Sequence, residues 1–276
     1  MRSILEKLFT WNSKQASEQI VNQYQKEWFA IVNFIYFAVV VAQKLFSTHR
    51  KTNTQKDYKK ILLKSDFLFP DWIALQVFYF LAKLLRKITS PIYRLNNLNW
   101  TDFVPYFLEY IKTKFGNQKI CLLMFGTTPE FLEKSKEYIS YKWYNVIYTQ
   151  DWFSKFNNKK WFCELNRQNV KESLALYQDT INILLVAMST PQYPRQELWT
   201  ADNIQEIKDH NLIVINTWWL FDFWAWVQKR APKIVRDIKL EWLWRLITDP
   251  KRNLKKVINS LSCVKYVFKY LLLKKD

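Results

Sequence analysis

The chain has 276 residues, of which 49% are hydrophobic and 24% are charged. This composition excludes an intrinsically disordered chain, and the length fits one large domain or one domain with an appendage. The formal net charge is +18, from 42 Lys and Arg residues against 24 Asp and Glu residues. Such an excess indicates a polyanionic partner, which could be nucleic acid, anionic lipid or a phosphorylated substrate.

Short apolar runs alternate with helical patterns along the chain, which predicts an α/β fold with a Rossmann-like parallel sheet wrapped by helices. The continuous apolar character of these runs is typical of strands that are buried on both faces. The predicted strands are Ala30–Phe37, Asp66–Phe69, Ile120–Phe125, Asn145–Tyr148, Ile181–Ala187 and Leu212–Ile215. The predicted helices are Ser17–Lys26, Asp57–Lys64, Trp72–Lys87, Asp102–Lys114, Pro129–Ser140, Val170–Asp179 and Thr200–His210.

The last part of the chain differs in charge, which predicts a catalytic domain over residues 1–228 and a basic helical appendage over residues 229–276. The appendage holds 14 Lys and Arg residues against 4 acidic residues. Within it, Asn253–Leu273 places apolar residues at helical spacing, with Lys265 on the apolar side. This amphipathic helix could lie on an anionic membrane, or it could be a last helix that packs on the core and exposes a basic face.

Neither a membrane span nor a metal site is predicted. The most apolar stretch, Phe29–Val41, has about 13 residues and is too short to cross a bilayer. The N-terminal residues 1–15 lack the apolar segment of a secretory signal. The three cysteines are far apart and form no CxxC pair, so they suggest neither a disulfide framework nor a zinc site and fit a reducing cytoplasm.

Carboxylates are the main candidates for acid or base chemistry, because the chain has only two histidines. There is no Asp-x-Asp pair, so no metal is expected. Asp71 follows a predicted strand and a proline, which places it at the carboxyl end of that strand, where open α/β sheets bind ligands. It could act there as a general base, or it could cap the helix that follows.

A turn with small residues follows the third predicted strand. Gly126 and Thr127 lie between this strand and a helix, and such a turn can present amides to a phosphate or be a plain turn. Other polar residues have simple structural alternatives. Asp102 and Asp222 could be a helix cap and a buried hydrogen-bonded acid, and Gln196 and Glu197 could lie at a solvated helix start.

Glycine is unusually rare and tryptophan unusually common, with 2 Gly against 14 Trp. An ordinary globular chain has about 7% Gly. We hypothesise that many of these tryptophans stand at glycine positions. A gene that uses the UGA codon for Gly, translated with a table that reads UGA as Trp, would produce this pattern.

Several motifs along nearly the whole chain carry a family resemblance. They are Ser65–Trp72, Leu122–Pro129, Pro194-Arg-Gln-Glu197 followed by Trp199, Arg230-Ala-Pro, Leu240-Glu-Trp-Leu-Trp-Arg-Leu246 and Asp249-Pro-Lys-Arg252. Taken together, these motifs resemble the WecG/TagA/CpsF family of glycosyltransferases. The C-terminal set is the most specific part of the resemblance.

The resemblance implies a bacterial enzyme of cell-surface polysaccharide synthesis that works on the inner face of the cell membrane. It would move a sugar, commonly of the N-acetylmannosamine type, from a UDP donor to a sugar on a polyprenyl diphosphate, with inversion and without a metal. Asp71 matches the position of the catalytic base. The implied substrate-binding residues are Thr101, Asp102, Gly126, Thr127, Gln196, Glu197 and Asp222. The arginines implied to face lipid diphosphate or bilayer are Arg230, Arg236, Arg245 and Arg252.

The resemblance also sorts the tryptophans. Those that fall where the family pattern has Gly are Trp72, Trp100, Trp152, Trp218 and Trp219, and further suspects are Trp11, Trp28, Trp143 and Trp226. Those expected to be genuine are Trp199, Trp224, Trp242 and Trp244.

Two alternatives stay open at this point. The chain lacks the family's Thr-x-Asn after the first strand and has Phe37-Ala-Val-Val40 there, so the same fold could transfer glucose or a uronic acid. A non-enzymatic, basic nucleic-acid-binding protein would also suit the charge, although the resemblance implies no nucleic acid partner. A homo-oligomer is compatible with the sequence.

Overall fold

The computed structural model describes residues 1–45, 52–71, 73–152, 156–157, 162–163, 166–177, 179–188, 195–226, 231–237, 240–261 and 263–272. Pro194 and Arg230, which belong to the predicted motifs, and Trp72 lie outside these residues. The side chains of Arg245 and Arg252 also lie outside the description.

A six-stranded, all-parallel sheet organises the described residues, with the strand order β2-β1-β8-β7-β3-β4. A short antiparallel pair, β5 with β6, forms a separate two-stranded sheet. The strands are β1 (Ala30–Ile35), β2 (Phe67–Pro70), β3 (Ile120–Gly126), β4 (Asn145–Gln150), β5 (Phe156–Asn157), β6 (Phe162–Cys163), β7 (Ile181–Ala187) and β8 (Leu212–Asn216). This arrangement confirms the predicted α/β fold.

Helices connect the strands and cover both faces of the sheet. In the first half they are α1 (Arg2–Lys7), α2 (Ser13–Glu27), α3 (Phe37–Ala42), α4 (Asn53–Lys64), α5 (Ile73–Leu84), α6 (Trp100–Phe115) and α7 (Pro129–Tyr141). In the second half they are α8 (Arg167–Ala175), α9 (Arg195–Asp202), α10 (Ile204–Asp209), α11 (Leu220–Trp224), α12 (Lys233–Asp237), α13 (Glu241–Thr248), α14 (Pro250–Leu261) and α15 (Cys263–Tyr266), followed by a π-helical turn at Val267–Leu272.

The sheet separates two hydrophobic cores, because successive side chains of a strand point to opposite faces. In β3, Leu122 and Met124 belong to the larger core, whereas Leu123 and Phe125 belong to the smaller one. Every residue of β3 and β8 is buried. The continuous apolar runs therefore predicted these central strands because both of their faces are covered.

The C-terminal segment packs on the sheet domain through one face and exposes the other. Tyr270 and Leu271 are buried in the larger core, and the Tyr266 ring meets the Phe37 ring edge-on at 5.6 Å between centroids. An opposite row of apolar side chains is exposed: Leu254, Ile258, Val264, Phe268 and Leu272. The segment thus packs on the core and also exposes apolar residues, and its contact with a membrane stays a prediction.

Several predicted bounds were wrong by a few residues, and two of these differences have a clear physical reason. The strand predicted as Ala30–Phe37 ends at Ile35, and Phe37 begins α3, because an unbroken apolar run does not reveal where a strand becomes a helix. The helix predicted as Thr200–His210 is interrupted at Asn203. There the Asn203 side-chain Nδ2 donates to the Trp199 carbonyl oxygen at 2.8 Å, and α10 begins anew.

Candidate active site

The carboxyl ends of all six parallel strands lie at one edge of the sheet, and the predicted site residues follow these ends. Asp71 comes directly after β2, and its main-chain N–H donates to the Ile35 carbonyl oxygen at the end of β1, at 2.9 Å. The neighbouring Pro70 carbonyl accepts from Leu98 N–H at 3.1 Å. These bonds hold the half-buried Asp71 at the rim of the sheet, as its position in the sequence predicted.

The start of α6 lies beside this rim, because Leu98 is bonded to Pro70. Asn99 caps α6, and its Oδ1 accepts from Thr101 Oγ1 at 2.5 Å and from Asp102 N–H at 3.0 Å. The cap is therefore Asn99, and the alternative that Asp102 caps the helix is wrong. Asp102 forms an ion pair with Arg236 of α12, with Oδ1 and Nη1 3.0 Å apart. The structure thus brings together a predicted cleft residue and a predicted lipid-facing arginine.

The turn after β3 requires its glycine. Gly126 has φ +124°, and a Cβ at this residue would lie 2.3 Å from the Ala187 carbonyl oxygen of β7. Thr127, also at positive φ, donates its N–H to the same oxygen at 3.0 Å, and Thr128 caps α7. The Thr127 amide is thus engaged within the turn, so the idea that this turn presents amides to a phosphate does not extend to that N–H.

Gln196 and Glu197 are fully buried at the start of α9, so the alternative of a solvated helix start is wrong. The Gln196 side chain donates from Nε2 to Glu197 Oε1 at 3.2 Å and accepts from Trp218 N–H at 2.9 Å. It therefore joins the end of β8 to α9. Burial raises the pKa of Glu197 from its usual 4.5 to about 7, although hydrogen bonds from its own backbone N–H and from Gln196 oppose the rise.

Aromatic residues that the sequence did not single out surround this buried carboxyl. The Tyr36 ring, just after β1, meets the Trp218 ring edge-on at 5.4 Å between centroids. Tyr58 of α4 is fully buried, and burial together with the negative charge of Glu197 raises the pKa of its hydroxyl well above 10. Sequence patterns gave no signal for Tyr58, because a single tyrosine on a helix face reads as ordinary core.

A network of buried polar side chains supports the same edge. Asn216, the last residue of β8, donates to Asn33 Oδ1 of β1 at 2.5 Å and accepts from Thr200 of α9 at 3.0 Å. Asn33 in turn donates to Ser65 Oγ at 2.6 Å. The network fixes α9, which carries Gln196 and Glu197, against the strand ends. The only sequence signal for it was Asn33 inside an apolar stretch.

The remaining predicted residues lie on helices beyond the strand ends. Asp222 is buried in α11, in agreement with its alternative as a buried acid, and Ser135 of α7 donates to the adjacent Phe221 carbonyl at 2.8 Å. Arg245 and Arg252 belong to α13 and α14. In the described part of the chain, no three His, Cys, Asp or Glu side chains cluster in a way that could hold a metal ion. No described helix is long and apolar enough to cross a membrane.

This fold and edge define the class of protein: a Rossmann-like α/β protein with carboxyl and amide side chains gathered at the carboxyl ends of a parallel sheet, where such folds bind nucleotides. The chain matches the model of the glycosyl transferase WecG/TagA/CpsF family over residues 11–276 and belongs to that family. It is therefore a glycosyltransferase of cell-surface polysaccharide synthesis. The family implies, in general terms, a sugar-nucleotide donor and a lipid-linked acceptor.

Proposed function

We propose that this chain moves a sugar of the N-acetylmannosamine type from a UDP donor to a sugar carried by a polyprenyl diphosphate, with inversion and without a metal. The observation that carries this proposal is the position of Asp71. Its backbone is hydrogen-bonded to the end of β1, on the edge where Gln196, Glu197 and the Gly126 turn also lie. A carboxylate at the rim can reach an acceptor that arrives from outside the sheet.

Asp71 acts as the general base in this proposal. Its carboxylate takes the proton of the acceptor hydroxyl while the hydroxyl oxygen bonds to the anomeric carbon of the donor sugar. The bond from that carbon to the UDP oxygen breaks in the same step, and UDP leaves with the electron pair. A single displacement of this kind inverts the anomeric centre, and the base is needed only at the acceptor oxygen.

The C-terminal segment supplies contact with the lipid in this proposal. The exposed row Leu254, Ile258, Val264, Phe268 and Leu272 lies in a segment of strongly positive charge, a combination that favours binding to anionic membranes. The Arg236–Asp102 ion pair supports a position for this segment close to the Asp71 rim. The enzyme would then be peripheral on the cytoplasmic face, with the lipid acceptor near the base.

The test is UDP release from a panel of UDP-sugars with a lipid-diphosphate acceptor, using protein produced in the organism from which the gene comes. Asp71→Asn should lower the turnover number by about 10²- to 10⁴-fold, the range of general base catalysis. Asp66→Asn is the matched control, because Asp66 precedes the same strand at the opposite edge of the sheet. Release unchanged in Asp71→Asn would contradict the assigned base, and a preference for UDP-glucose or a UDP-uronic acid would contradict the assigned sugar.

A further inference from the structure

Tryptophan occupies an unexpected share of the strained backbone positions. Nine non-glycine residues among those described have positive φ, and 4 of them are tryptophan. They are Trp28 at +62°, Trp143 at +67°, Trp218 at +55° and Trp226 at +60°. For a bulky residue this left-handed region is a genuine outlier, because Cβ crowds the backbone there, whereas glycine adopts it without strain.

Three of these positions are helix ends of the kind that glycine usually occupies. Trp28 is the C-cap of α2, and its N–H donates to the Tyr24 carbonyl. Trp143 and Trp226 lie two residues beyond α7 and α11, with N–H bonds to the Ser140 and Phe223 carbonyls. A left-handed residue at the C-terminal end of a helix is usually Gly.

The three indoles at these helix ends gain little from packing. Trp28, Trp143 and Trp226 are 60%, 77% and 74% exposed. Burial therefore does not offset the backbone strain, and hydrophobic packing gives no reason for tryptophan there. Both glycines that the sequence does contain, Gly116 and Gly126, have positive φ as well. By contrast, Trp199 and Trp224 lie buried within helices.

The fourth position, Trp218, lies inside the candidate site. Its side chain is 1% exposed and fills the space at the carboxyl ends of β1 and β8. Within the described residues, two buried polar atoms that would remain without this indole have no hydrogen-bond partner: Glu197 Oε2 and the Tyr58 hydroxyl. Buried polar groups are nearly always paired, so two unpaired groups in one region indicate that a polar partner belongs there.

We propose that residues 28, 143, 218 and 226 are glycine in the functional protein, through a UGA codon that its cells read as Gly. Glycine at 218 removes an indole from the strand edge and opens a pocket. The buried Glu197 carboxyl and the Tyr58 hydroxyl line this pocket and bind polar groups of the nucleotide-sugar donor; this second part rests on the proposed function. The backbone gives no reason to expect glycine at Trp11, Trp100, Trp152 and Trp219, because these residues do not have positive φ.

Peptide mass spectrometry of the protein isolated from its own cells tests the residue identities without reference to activity. We expect the mass of Gly at positions 28, 143, 218 and 226, and the mass of Trp at 199 and 224. The gene should read UGA at the first four and UGG at the other two. Tryptophan at the first four positions would overturn the proposal.

Thermal unfolding tests the backbone argument on the chain as written. Trp143→Gly should raise the melting temperature by roughly 2–4 °C, the shift that relief of a modest strain gives in a chain of this size. Tyr141→Gly is the matched control, because Tyr141 has a similar exposure, at 81%, but ends α7 without a positive φ, so glycine there relieves no strain and only adds freedom to the unfolded chain. It should lower the melting temperature. A fall in both variants would contradict the strain argument.

Binding of UDP, measured by calorimetry, tests the pocket. Trp218→Gly should bind UDP at least about tenfold more tightly than the chain as written. Trp143→Gly, which lies before β4 at the opposite edge of the sheet, should not change the affinity. Equal UDP affinity in Trp218→Gly and the chain as written would overturn the pocket. Tight UDP binding without transfer from any UDP-sugar would leave this inference standing and refute the proposed transfer.

Discussion

Replacing Glu197 by glutamine tests the electrostatics of the buried edge. In the folded chain the carboxyl is fully buried, and its pKa is raised from 4.5 to about 7. The unfolded chain therefore releases this proton at lower pH than the folded chain does. Stability contributed by the protonated carboxyl is fully present below about pH 4.5, falls as the pH rises, and is lost above about pH 7.

The expected magnitude follows from the size of the pKa rise. A rise from 4.5 to about 7 corresponds to about 3 kcal/mol of unfolding free energy between the two ends of this window. Glutamine has nearly the same shape and no charge at any pH. Glu197→Gln should thus have little effect near pH 4.5 and should stabilise the fold by up to about 3 kcal/mol at pH 8. The nearby Tyr58 hydroxyl, with its raised pKa, stays neutral throughout.

Urea unfolding at pH 4.5, 6 and 8 measures this difference. Glu130→Gln is the control, because Glu130 lies exposed in the first turn of α7 and pairs with Lys134 at the surface. It should change the unfolding free energy by less than about 1 kcal/mol. Parallel pH dependence in the chain as written and in Glu197→Gln would refute the reasoning, since it would mean that the carboxyl ionises in the folded state as easily as in water.

Two further substitutions probe the strand ends through their stability in urea. Gly126→Ala should lower the free energy of unfolding by about 1–3 kcal/mol, because the new Cβ would meet the Ala187 carbonyl oxygen at 2.3 Å. Gly116→Ala, with open space around its Cβ, should lower it less, and equal losses would contradict the role of this contact. Asn216→Ala should lower the free energy of unfolding by about 1–3 kcal/mol for each buried partner that it leaves unpaired. Thr200→Val breaks one bond of the network and should lower it less. An unchanged stability in Asn216→Ala would show that the network adds none.

The sheet could be predicted from the sequence because of its topology. Parallel strands are buried on both faces, so Ile120–Gly126 and Ile181–Ala187 are apolar almost throughout and stand out from the polar helices around them. The same continuous apolar character made the end of β1 impossible to predict. Nothing in the run Phe37–Ala42 distinguishes a strand from a buried helix, and only the packing of the surrounding residues selects the helix.

From the residue pattern alone, the candidate site could be predicted only where a residue adjoins a strand end, whereas Gln196 and Glu197 were assigned to it through the family resemblance. Asp71 and Gly126 were found in this way, because chain order alone places them at the edge. The burial of Glu197 and the presence of Tyr58 beside it depend on α9 packing against α4, a long-range contact without a periodic signal. A turn or cap predicts local geometry, but it does not predict which distant helix covers a carboxyl.

The two acidic residues of this edge suit different tasks in the proposed reaction because their surroundings differ. Asp71 is half-buried at the rim, where an acceptor hydroxyl can approach it. Glu197 is enclosed, and burial keeps its proton up to about pH 7, so below that pH it can donate a hydrogen bond and does not repel an anionic diphosphate. A glycine at 218 would give a donor access to this carboxyl, and the bound donor would again exclude the water that lowers its pKa, while Asp71 stays at the rim. The proposed chemistry of the edge then depends on the Asp71 carboxylate and on the absence of a side chain at residue 218.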